Sequence, residues 1–292
     1  MSLPLPEGRR NFQELFVSLA QPNDWGTIKD RAIPGPGGPV PVRVYKAADS
    51  AVRPLVAFFH GGGWVFGDLD SHDSMCRSLA RDAEAIVVAV DYRLAPEHPF
   101  PAGFEDCWAV TKWLTSSGAE LGGDPARVAV AGDSSGANLA AAVALRARDE
   151  GRVALRSQLL IYPALDPRMS SASYEENADD PFLSRSEMEW YWPRYLGDTV
   201  DEPESYAAPA FAADLAGLAP ALLVVAGHDP LRDDSLAYAG RLRQAGVAVE
   251  VAAYDDMVHG FFSCTRALDA ARQALEDAGR FLGKSLSGPS AP

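Results

Sequence analysis

The alternation of short apolar runs with helix-like stretches is the feature that most restricts the fold of this chain. Six runs rich in aliphatic residues and phenylalanine recur along the sequence at 55–59, 85–90, 128–131, 158–162, 221–226 and 247–253. Stretches rich in helix-forming residues lie between most of them, at 74–82, 102–116, 135–149 and 233–245, and a last one follows at 265–282. Strands that are apolar throughout are typical of a parallel sheet covered by helices on both faces.

The N-terminal part has a different pattern. Residues 27–33 and 40–47 alternate between apolar and polar side chains, and the glycine- and proline-rich turn 34–39 separates them. We therefore predict a mostly parallel sheet of eight strands with an antiparallel start. The core of this fold is assigned to residues 51–165 and 221–284, and residues 1–50 supply an N-terminal helix and the first strands.

The alternation of strands and helices is interrupted in one segment. Nearly sixty residues between 162 and 221 carry no strand pattern, yet they are rich in tyrosine and tryptophan. A strandless segment of this length is typical of a lid or a binding element, and dense aromatic residues favour a pocket over an ordinary packed insertion. We expect residues 166–220 to form a helical cap that the amphipathic stretch 11–20 joins. The polar tail 285–292 is expected to be disordered.

Composition excludes several classes of protein. The chain has 292 residues, of which 47% are hydrophobic, and its net charge of −14 disfavours nucleic acid and anionic membrane surfaces as partners. No run approaches the roughly 20 apolar residues of a membrane span, and the N-terminus lacks an apolar signal core, so we expect a cytoplasmic protein. The three scattered cysteines and the absence of ligand spacing predict neither a disulfide framework nor a metal site.

The pentapeptide Gly132-Asp133-Ser134-Ser135-Gly136 has the G-x-S-x-G pattern of a nucleophile elbow. A strand-like run precedes it at 127–131 and a helix-like stretch follows at 137–145, which is the context that this motif requires. Glycines at both ends permit a sharp turn that exposes the serine hydroxyl. A chance match in a glycine- and serine-rich loop is the alternative. The pattern makes Ser134 the candidate nucleophile.

A glycine run, His60-Gly61-Gly62-Gly63-Trp64, directly follows the apolar run at 55–59. Successive glycines let the backbone approach a ligand and turn its N–H groups inward, as an oxyanion hole requires. A flexible tight turn is the alternative, and His60 could merely brace the loop by hydrogen bonding. Combined with the elbow, the run indicates attack on a carbonyl ester.

A serine hydroxyl becomes a good nucleophile only beside a general base, which an acidic side chain must orient. Among the five histidines, His259 lies between the last predicted strand and the last helix, where a loop reaches the sheet edge that carries the elbow. Asp229 follows the run at 221–226 and is the best candidate for the acid. Asp233 and Asp234 are rivals, although they could instead be charges at the N-terminus of the next helix.

Five segments in combination resemble the hormone-sensitive lipase family of α/β-hydrolase esterases. They are His60-Gly61-Gly62-Gly63-Trp64, Asp91 through Ala102, Gly132-Asp133-Ser134-Ser135-Gly136, Asp229-Pro230-Leu231-Arg232-Asp233 and His259-Gly260-Phe261. The resemblance extends from about residue 54 to the final helix. It implies an α/β-hydrolase fold with a helical cap, and Ser134, Asp229 and His259 as nucleophile, acid and base.

The resemblance also implies an oxyanion hole made by the N–H groups of Gly62, Gly63 and Ser135. The family usually has alanine where this chain has Ser135, and we expect little loss because the backbone N–H makes the contact. Trp64, Trp190 and Trp192 are expected to bind substrate.

The predicted function is a cofactor-free serine carboxylesterase that hydrolyses short-chain acyl esters through an acyl-enzyme on Ser134. A small-molecule ester is the expected partner, and a homodimer is left open. A deacetylase or lactonase of one metabolite remains an alternative. A second alternative is a non-catalytic receptor on the same fold, as in plant gibberellin receptors, although the presence of all three triad residues argues against it.

Overall fold

The computed structural model describes residues 3–199 and 202–287, which contain eight β-strands and eight α-helices that alternate along most of the chain. The strands are β1 Thr27–Gly35, β2 Gly38–Lys46, β3 Arg53–Phe59, β4 Ile86–Val90, β5 Gly123–Asp133, β6 Gln158–Ile161, β7 Ala221–His228 and β8 Val249–Val258. The helices are α1 Leu5–Leu19, α2 Asp73–Asp82, α3 Ala102–Ser117, α4 Ser135–Glu150, α5 Ala172–Glu176, α6 Arg185–Leu196, α7 Arg232–Gln244 and α8 Asp269–Ser287.

All eight strands form one sheet in the order β1-β2-β4-β3-β5-β6-β7-β8. The pairs β1–β2 and β2–β4 are antiparallel, and every other neighbouring pair is parallel. The predicted eight-stranded, mostly parallel sheet with an antiparallel start is therefore confirmed.

The sheet separates two apolar cores because successive side chains of a strand point to opposite faces. In β3, Val56 and Phe58 belong to the core under α2 and α8, whereas Leu55, Ala57 and Phe59 belong to the core under α3 and α4. All five side chains are fully buried. Burial on both faces explains why the central strands are continuous apolar runs in the sequence.

The candidate residues follow strands that end at one edge of the sheet. Strands β3, β5, β7 and β8 are mutually parallel, so their carboxyl ends face the same way. The glycine run follows β3, Ser134 follows β5, Asp229 follows β7 and His259 follows β8. Ligands bind at this edge in open α/β sheets.

The strandless segment 166–220 holds α5 and α6, and α1 begins at Leu5, earlier than the predicted 11–20. Pro6 is accommodated in the first turn of α1, where its missing N–H would have no intrahelical partner. In the part of the chain that the structure describes, none of the helices is both long and apolar enough to cross a membrane.

The predicted disordered tail 285–292 is wrong for its first three residues. Helix α8 continues to Ser287, and Leu286 is fully buried in the core beneath α2. The sequence pattern places the end of the last helix at residue 282. Because Leu286 packs into the core, the helix continues past that point. Residues 288–292 lie outside the described residues.

Candidate active site

Ser134 occupies the sharp turn between β5 and α4. Its φ of 54° and ψ of −119° place it in a region that residues with side chains rarely adopt. A Cβ atom added to Gly136 would lie 2.0 Å from the carbonyl oxygen of Phe59, so the close approach of α4 to β3 requires glycine. The N–H of Ser134 donates to the carbonyl of Ile161 at 2.8 Å and fixes the turn against β6.

Three side chains from different loops form a hydrogen-bonded chain at the sheet edge. The distance from Ser134 Oγ to His259 Nε2 is 3.0 Å, and that from His259 Nδ1 to Asp229 Oδ2 is 2.8 Å. The Asp229 carboxylate is fully buried, and its other oxygen accepts the N–H of Leu231 at 2.8 Å. The arrangement holds the imidazole in the orientation that a general base for Ser134 needs.

The rival carboxylates have other partners. Asp233 accepts the N–H of Ser173 at 2.9 Å and the guanidinium of Arg232 at 2.8 Å, so it ties α5 to the start of α7. Burial raises the pKa of Asp234 to about 7, although a hydrogen bond from Ser171 opposes the shift. Neither carboxylate is bonded to His259 among the hydrogen bonds of the described residues.

The N–H groups of Gly62, Gly63 and Ser135 make no hydrogen bond to an acceptor within residues 3–199 and 202–287. Gly62 and Gly63 have φ values of 117° and 60°, which glycine adopts without strain. All three residues line the cavity that contains Ser134. These donors are therefore available to a ligand oxygen beside the serine. The Ser135 hydroxyl is buried beside the Tyr92 phenol.

Asp133 supports the glycine run from below. Its Oδ1 accepts the N–H of Gly61 at 2.9 Å, and its carboxylate lies 3.3 Å from His72 Nε2. Burial alone would raise the pKa of Asp133, but His72, His60 and the Gly61 N–H together outweigh this effect, and the pKa lies below its usual range. A carboxylate that stays ionised is a strong acceptor, so it fixes the loop at the residue before the proposed donors.

His60 braces the same loop from the other side. Its Nδ1 donates to the Gly61 carbonyl at 2.9 Å, and its ring stacks on Tyr92 at a centroid distance of 4.3 Å. The Tyr92 hydroxyl in turn donates to the His60 carbonyl at 2.7 Å. Burial lowers the pKa of His60 to about 4, so the imidazole is neutral at pH 7. This geometry matches the bracing role considered for His60 from the sequence.

A cavity of about 340 Å³ opens above Ser134. Its floor is formed by the glycine run and by the loops that carry Ser134 and His259, and its walls come from α1, from α6 and from the chain before α6. The wall residues of these helices and the preceding chain are Phe12, Leu15, Phe16, Pro181, Phe182, Leu183, Glu187, Met188 and Tyr191. The cavity is therefore mostly apolar away from the reacting groups, as is common for small-molecule sites.

The structure separates the three tryptophans that were expected to bind substrate. Trp64 lines the cavity, and its ring stacks on Tyr195 at 4.2 Å. Trp190 lines a neighbouring cavity instead. Trp192 is fully buried and packs against Trp64 at 4.5 Å, so it does not reach the cavity. The expectation that Trp192 contacts substrate is wrong, because the helix turns its ring into the core.

Sequence reasoning missed the residues of α6 that do line the cavity. Met188 and Tyr191 stand one turn apart on the same helix face, and the Tyr191 ring lies against Gly63 so closely that a Cβ atom there would clash with it. A capping box at Ser184 and Glu187 marks the start of this helix. That S-x-x-E signal could have set the helix register and hence identified the face.

Within the described residues, no group of three or more histidine, cysteine, aspartate or glutamate side chains could hold a metal ion. The three cysteines are buried, separate thiols.

Comparison with known proteins matches most of this chain. Residues 56–263 match a model of the α/β-hydrolase fold family. Esterase LipI of Mycobacterium tuberculosis is 47% identical over 251 residues, which cover 85% of this chain and 78% of that protein. A solved structure of an esterase from Pyrobaculum calidifontis has a TM-score of 0.92 at 38% identity and covers 97% of this chain and 94% of that one.

The gibberellin receptor GID1 of rice is more distant, with 34% identity over 242 residues that cover 80% of this chain and 68% of that protein. The family model, the identity to esterases along most of the chain and the shared fold agree with the motifs of the sheet edge. The chain belongs to the hormone-sensitive lipase family of α/β-hydrolase esterases.

Proposed function

We propose that this protein is a serine carboxylesterase that hydrolyses short-chain acyl esters through an acyl-enzyme on Ser134. The observation that carries the proposal is the hydrogen-bonded chain from Ser134 through His259 to Asp229 at the floor of an apolar cavity. Named esterases among the relatives support the same class of reaction.

Acylation begins when Ser134 Oγ attacks the ester carbonyl carbon and its proton passes to His259 Nε2. Asp229 stabilises the resulting imidazolium through Nδ1–H. The carbonyl oxygen becomes an oxyanion that the N–H groups of Gly62, Gly63 and Ser135 stabilise. His259 then returns the proton to the leaving alcohol as the bond between carbonyl carbon and alkoxy oxygen breaks.

Deacylation repeats these steps with water in place of the serine. His259 takes a proton from the attacking water, and the same N–H groups stabilise the second oxyanion. The imidazolium then protonates Ser134 Oγ, which releases the carboxylic acid and restores the free enzyme. No metal or cofactor enters this cycle.

The walls of the cavity support a preference for short acyl groups. Helices α1 and α6 close a cavity of about 340 Å³ above Ser134, and residues 166–220 together with α1 act as its cap. A finite cavity admits a short acyl chain, whereas a long one must displace packed side chains such as Met188 and Tyr191.

A receptor without catalysis is the second candidate, since GID1 is a relative of this chain. The hydrogen-bonded chain of nucleophile, base and acid argues for the enzyme, because a binding site gains nothing from this alignment. A deacetylase or lactonase specific for one metabolite would use the same groups and differs only in the substrate.

A panel of p-nitrophenyl esters from acetate to palmitate, together with emulsified long-chain triglyceride, tests the proposal. We expect kcat/KM to be highest among the short acyl chains and to fall steeply for the long ones. Preference for the triglyceride over the butyrate ester would contradict the small cavity. Absence of hydrolysis across the panel, with an acetylated sugar and a lactone included, would favour the receptor.

Location and assembly remain predictions. A cytoplasmic location follows only from sequence composition and would be tested by cell fractionation. Association as a homodimer would be tested by analytical ultracentrifugation.

A further inference from the structure

A second cavity of about 380 Å³ adjoins the catalytic one between α1 and α6. The two cavities share Phe12, Glu187 and Tyr191 in their walls. These three side chains therefore form the boundary between the two cavities, and the remote end of a substrate that fills the space above Ser134 lies against them. The chemistry of the shared wall decides which remote ends are accepted.

The charges around the two cavities are unbalanced. Their walls include two carboxylates, Asp133 and Glu187, and no lysine or arginine among the described residues. Asp133 is occupied by Gly61 and His72 beneath the glycine run. Glu187 is therefore the charged side chain that the remote end of a substrate meets at the boundary between the cavities.

One oxygen of the Glu187 carboxylate is hydrogen-bonded to Ser184, and the other is available to a ligand. Its Oε2 accepts both the N–H of Ser184 at 2.8 Å and the hydroxyl of Ser184 at 2.9 Å, as the capping box of α6 requires. Its Oε1 makes no hydrogen bond within the described residues. One helix turn later, the Tyr191 ring lies against Gly63, and Glu187 lines the same cavity as Gly63 and Ser134.

The Glu187 carboxylate also acts on the pKa of Tyr191, which follows it by one helix turn. Burial raises the pKa of its phenol first, and the negative charge of Glu187 raises it further. The carboxylate therefore acts electrostatically on groups at the boundary between the two cavities.

Aromatic faces surround the second cavity. The rings of Phe66 and Trp190 are parallel at a centroid distance of 5.9 Å, and Phe12 packs against Phe66 at 5.8 Å. The guanidinium of Arg194 already lies 3.7 Å from the centroid of the Trp190 ring, which shows that this ring holds a cation, although Arg194 lines neither cavity. Aromatic faces beside a carboxylate attract quaternary ammonium groups and repel anions.

We propose that Glu187 selects substrates by charge, so that esters with a cationic remote end are favoured and esters with a carboxylate there are rejected. This inference rests on the proposed esterase function and names its substrate class more closely. The favoured cation keeps its charge throughout the reaction, so the effect is on binding and orientation in the two cavities and adds no chemical step.

Two pairs of esters with matched shape separate charge from size. Acetylcholine and 3,3-dimethylbutyl acetate differ only by a quaternary nitrogen in the alcohol. The ethyl ester of betaine and ethyl 3,3-dimethylbutanoate differ in the same way in the acyl group. Monoethyl succinate supplies the anionic ester. For each compound, kcat/KM is measured in the wild-type enzyme and in two variants.

The first variant is Glu187→Gln, which removes the charge and keeps the capping box, because glutamine serves equally at this position. The matched control is Glu189→Gln, which removes one charge from the exposed side of the same helix, where the side chain pairs with Arg185. For each enzyme, kcat/KM for the cationic ester is divided by kcat/KM for its neutral partner. Comparing this ratio between wild type and variant removes the difference in intrinsic reactivity between the two esters.

We expect Glu187→Gln to lower this ratio by about three- to tenfold in at least one pair and to raise the relative rate with monoethyl succinate. The change should shrink at high salt, because screening weakens a charge effect and leaves a shape effect intact. Glu189→Gln should leave all ratios unchanged.

Ratios within twofold of wild type for both pairs in Glu187→Gln, while the neutral esters are still cleaved, would overturn this inference and leave the proposed function standing. An equal effect of Glu189→Gln would also overturn it, since the charge would then act from anywhere on the helix. Failure of the wild-type enzyme to cleave the neutral esters would count against the proposed function itself.

Discussion

The sheet edge and the helical wall of the cavity differ in how their residues are held. Ser134, Asp229 and His259 follow paired strands, and each is fixed by at least one hydrogen bond at the floor of the site. Helix α1, in contrast, has no buried residue, and it packs beside the glycine run through the Phe12 ring on Phe66 and through Arg9, which donates to the carbonyls of Val65 and Ala95. The edge sets the position of the reacting atoms to within a hydrogen bond, whereas the wall sets the shape and the charge of the space above them.

This difference predicts two classes of variant. A change at the edge removes transition-state stabilisation and alters the rate by orders of magnitude. A change in the wall leaves the reacting atoms in place and alters which ester fits.

Replacing Ser134 with alanine gives the largest expected effect. Loss of a triad nucleophile lowers turnover by about 10⁶-fold, because no other group at the edge can form the acyl-enzyme. The rate is measured with purified variant on a short p-nitrophenyl ester, and circular dichroism checks that the fold is retained. Activity within tenfold of wild type would show that the edge does not carry the chemistry.

Asp229→Asn should come next, with a loss of up to about 10⁴-fold in kcat, since asparagine can hold the wrong tautomer of His259. Asp233→Asn is the matched control on the neighbouring turn. Its partners are Ser173 and Arg232, so we expect a much smaller loss. The opposite ranking of the two variants in steady-state kinetics would mean that the acid is misassigned.

Met188→Ala tests the wall. Its buried side chain lines the cavity, so truncation should enlarge the space and raise kcat/KM for octanoate relative to acetate by about tenfold. Competing hydrolysis of the two esters measures this ratio directly.

Trp192→Ala is the contrasting variant in the same helix. Because Trp192 is buried behind Trp64 and lines neither cavity, its truncation should lower the free energy of unfolding by about 3–5 kcal/mol. Urea denaturation measures the loss. If Trp192→Ala changed chain-length preference and Met188→Ala did not, the assignment of the wall would be reversed.

The smallest expected effect is on the pH dependence of stability, and it comes from Asp234 in the first turn of α7. Burial raises the pKa of Asp234 to about 7 from an ordinary value of 3.8, with Asp166 and Asp233 adding to the shift and Ser171 and Arg168 opposing it. The folded state therefore binds an extra proton between these pH values, and this contribution to stability is lost as the pH rises through about 7.

Asp234→Asn removes that dependence. Relative to wild type, the variant should gain on the order of 1 kcal/mol of unfolding free energy between pH 6 and pH 8. Melting curves at the two pH values provide the measurement, and a constant difference between the proteins would contradict the shift.

The sequence is informative about the edge for a physical reason. Buried strands are continuous apolar runs, and residues that directly follow parallel strands must meet at one edge, so motif and geometry are linked. Ser134, Asp229 and His259 could therefore be named together, and the structure brings them within hydrogen-bonding distance.

The individual residues that form the cavity wall could not be predicted from the sequence. Consecutive helical residues point about 100° apart, so Trp190, Tyr191 and Trp192 face the second cavity, the glycine run and the core respectively. Aromatic composition indicated a pocket but not which rings face it. The early start of α1 was missed because Pro6 and Gly8 suggest an irregular segment, whereas the first turn of a helix tolerates proline.

The most direct test of the central claim is covalent labelling with a fluorophosphonate followed by peptide mass spectrometry. We predict one adduct per chain, located on Ser134, with loss of ester hydrolysis in proportion to labelling, because His259 and Asp229 activate this hydroxyl alone. An active enzyme that takes up no label, or that is labelled at another residue when activity is lost, would contradict the assignment of Ser134 as the nucleophile.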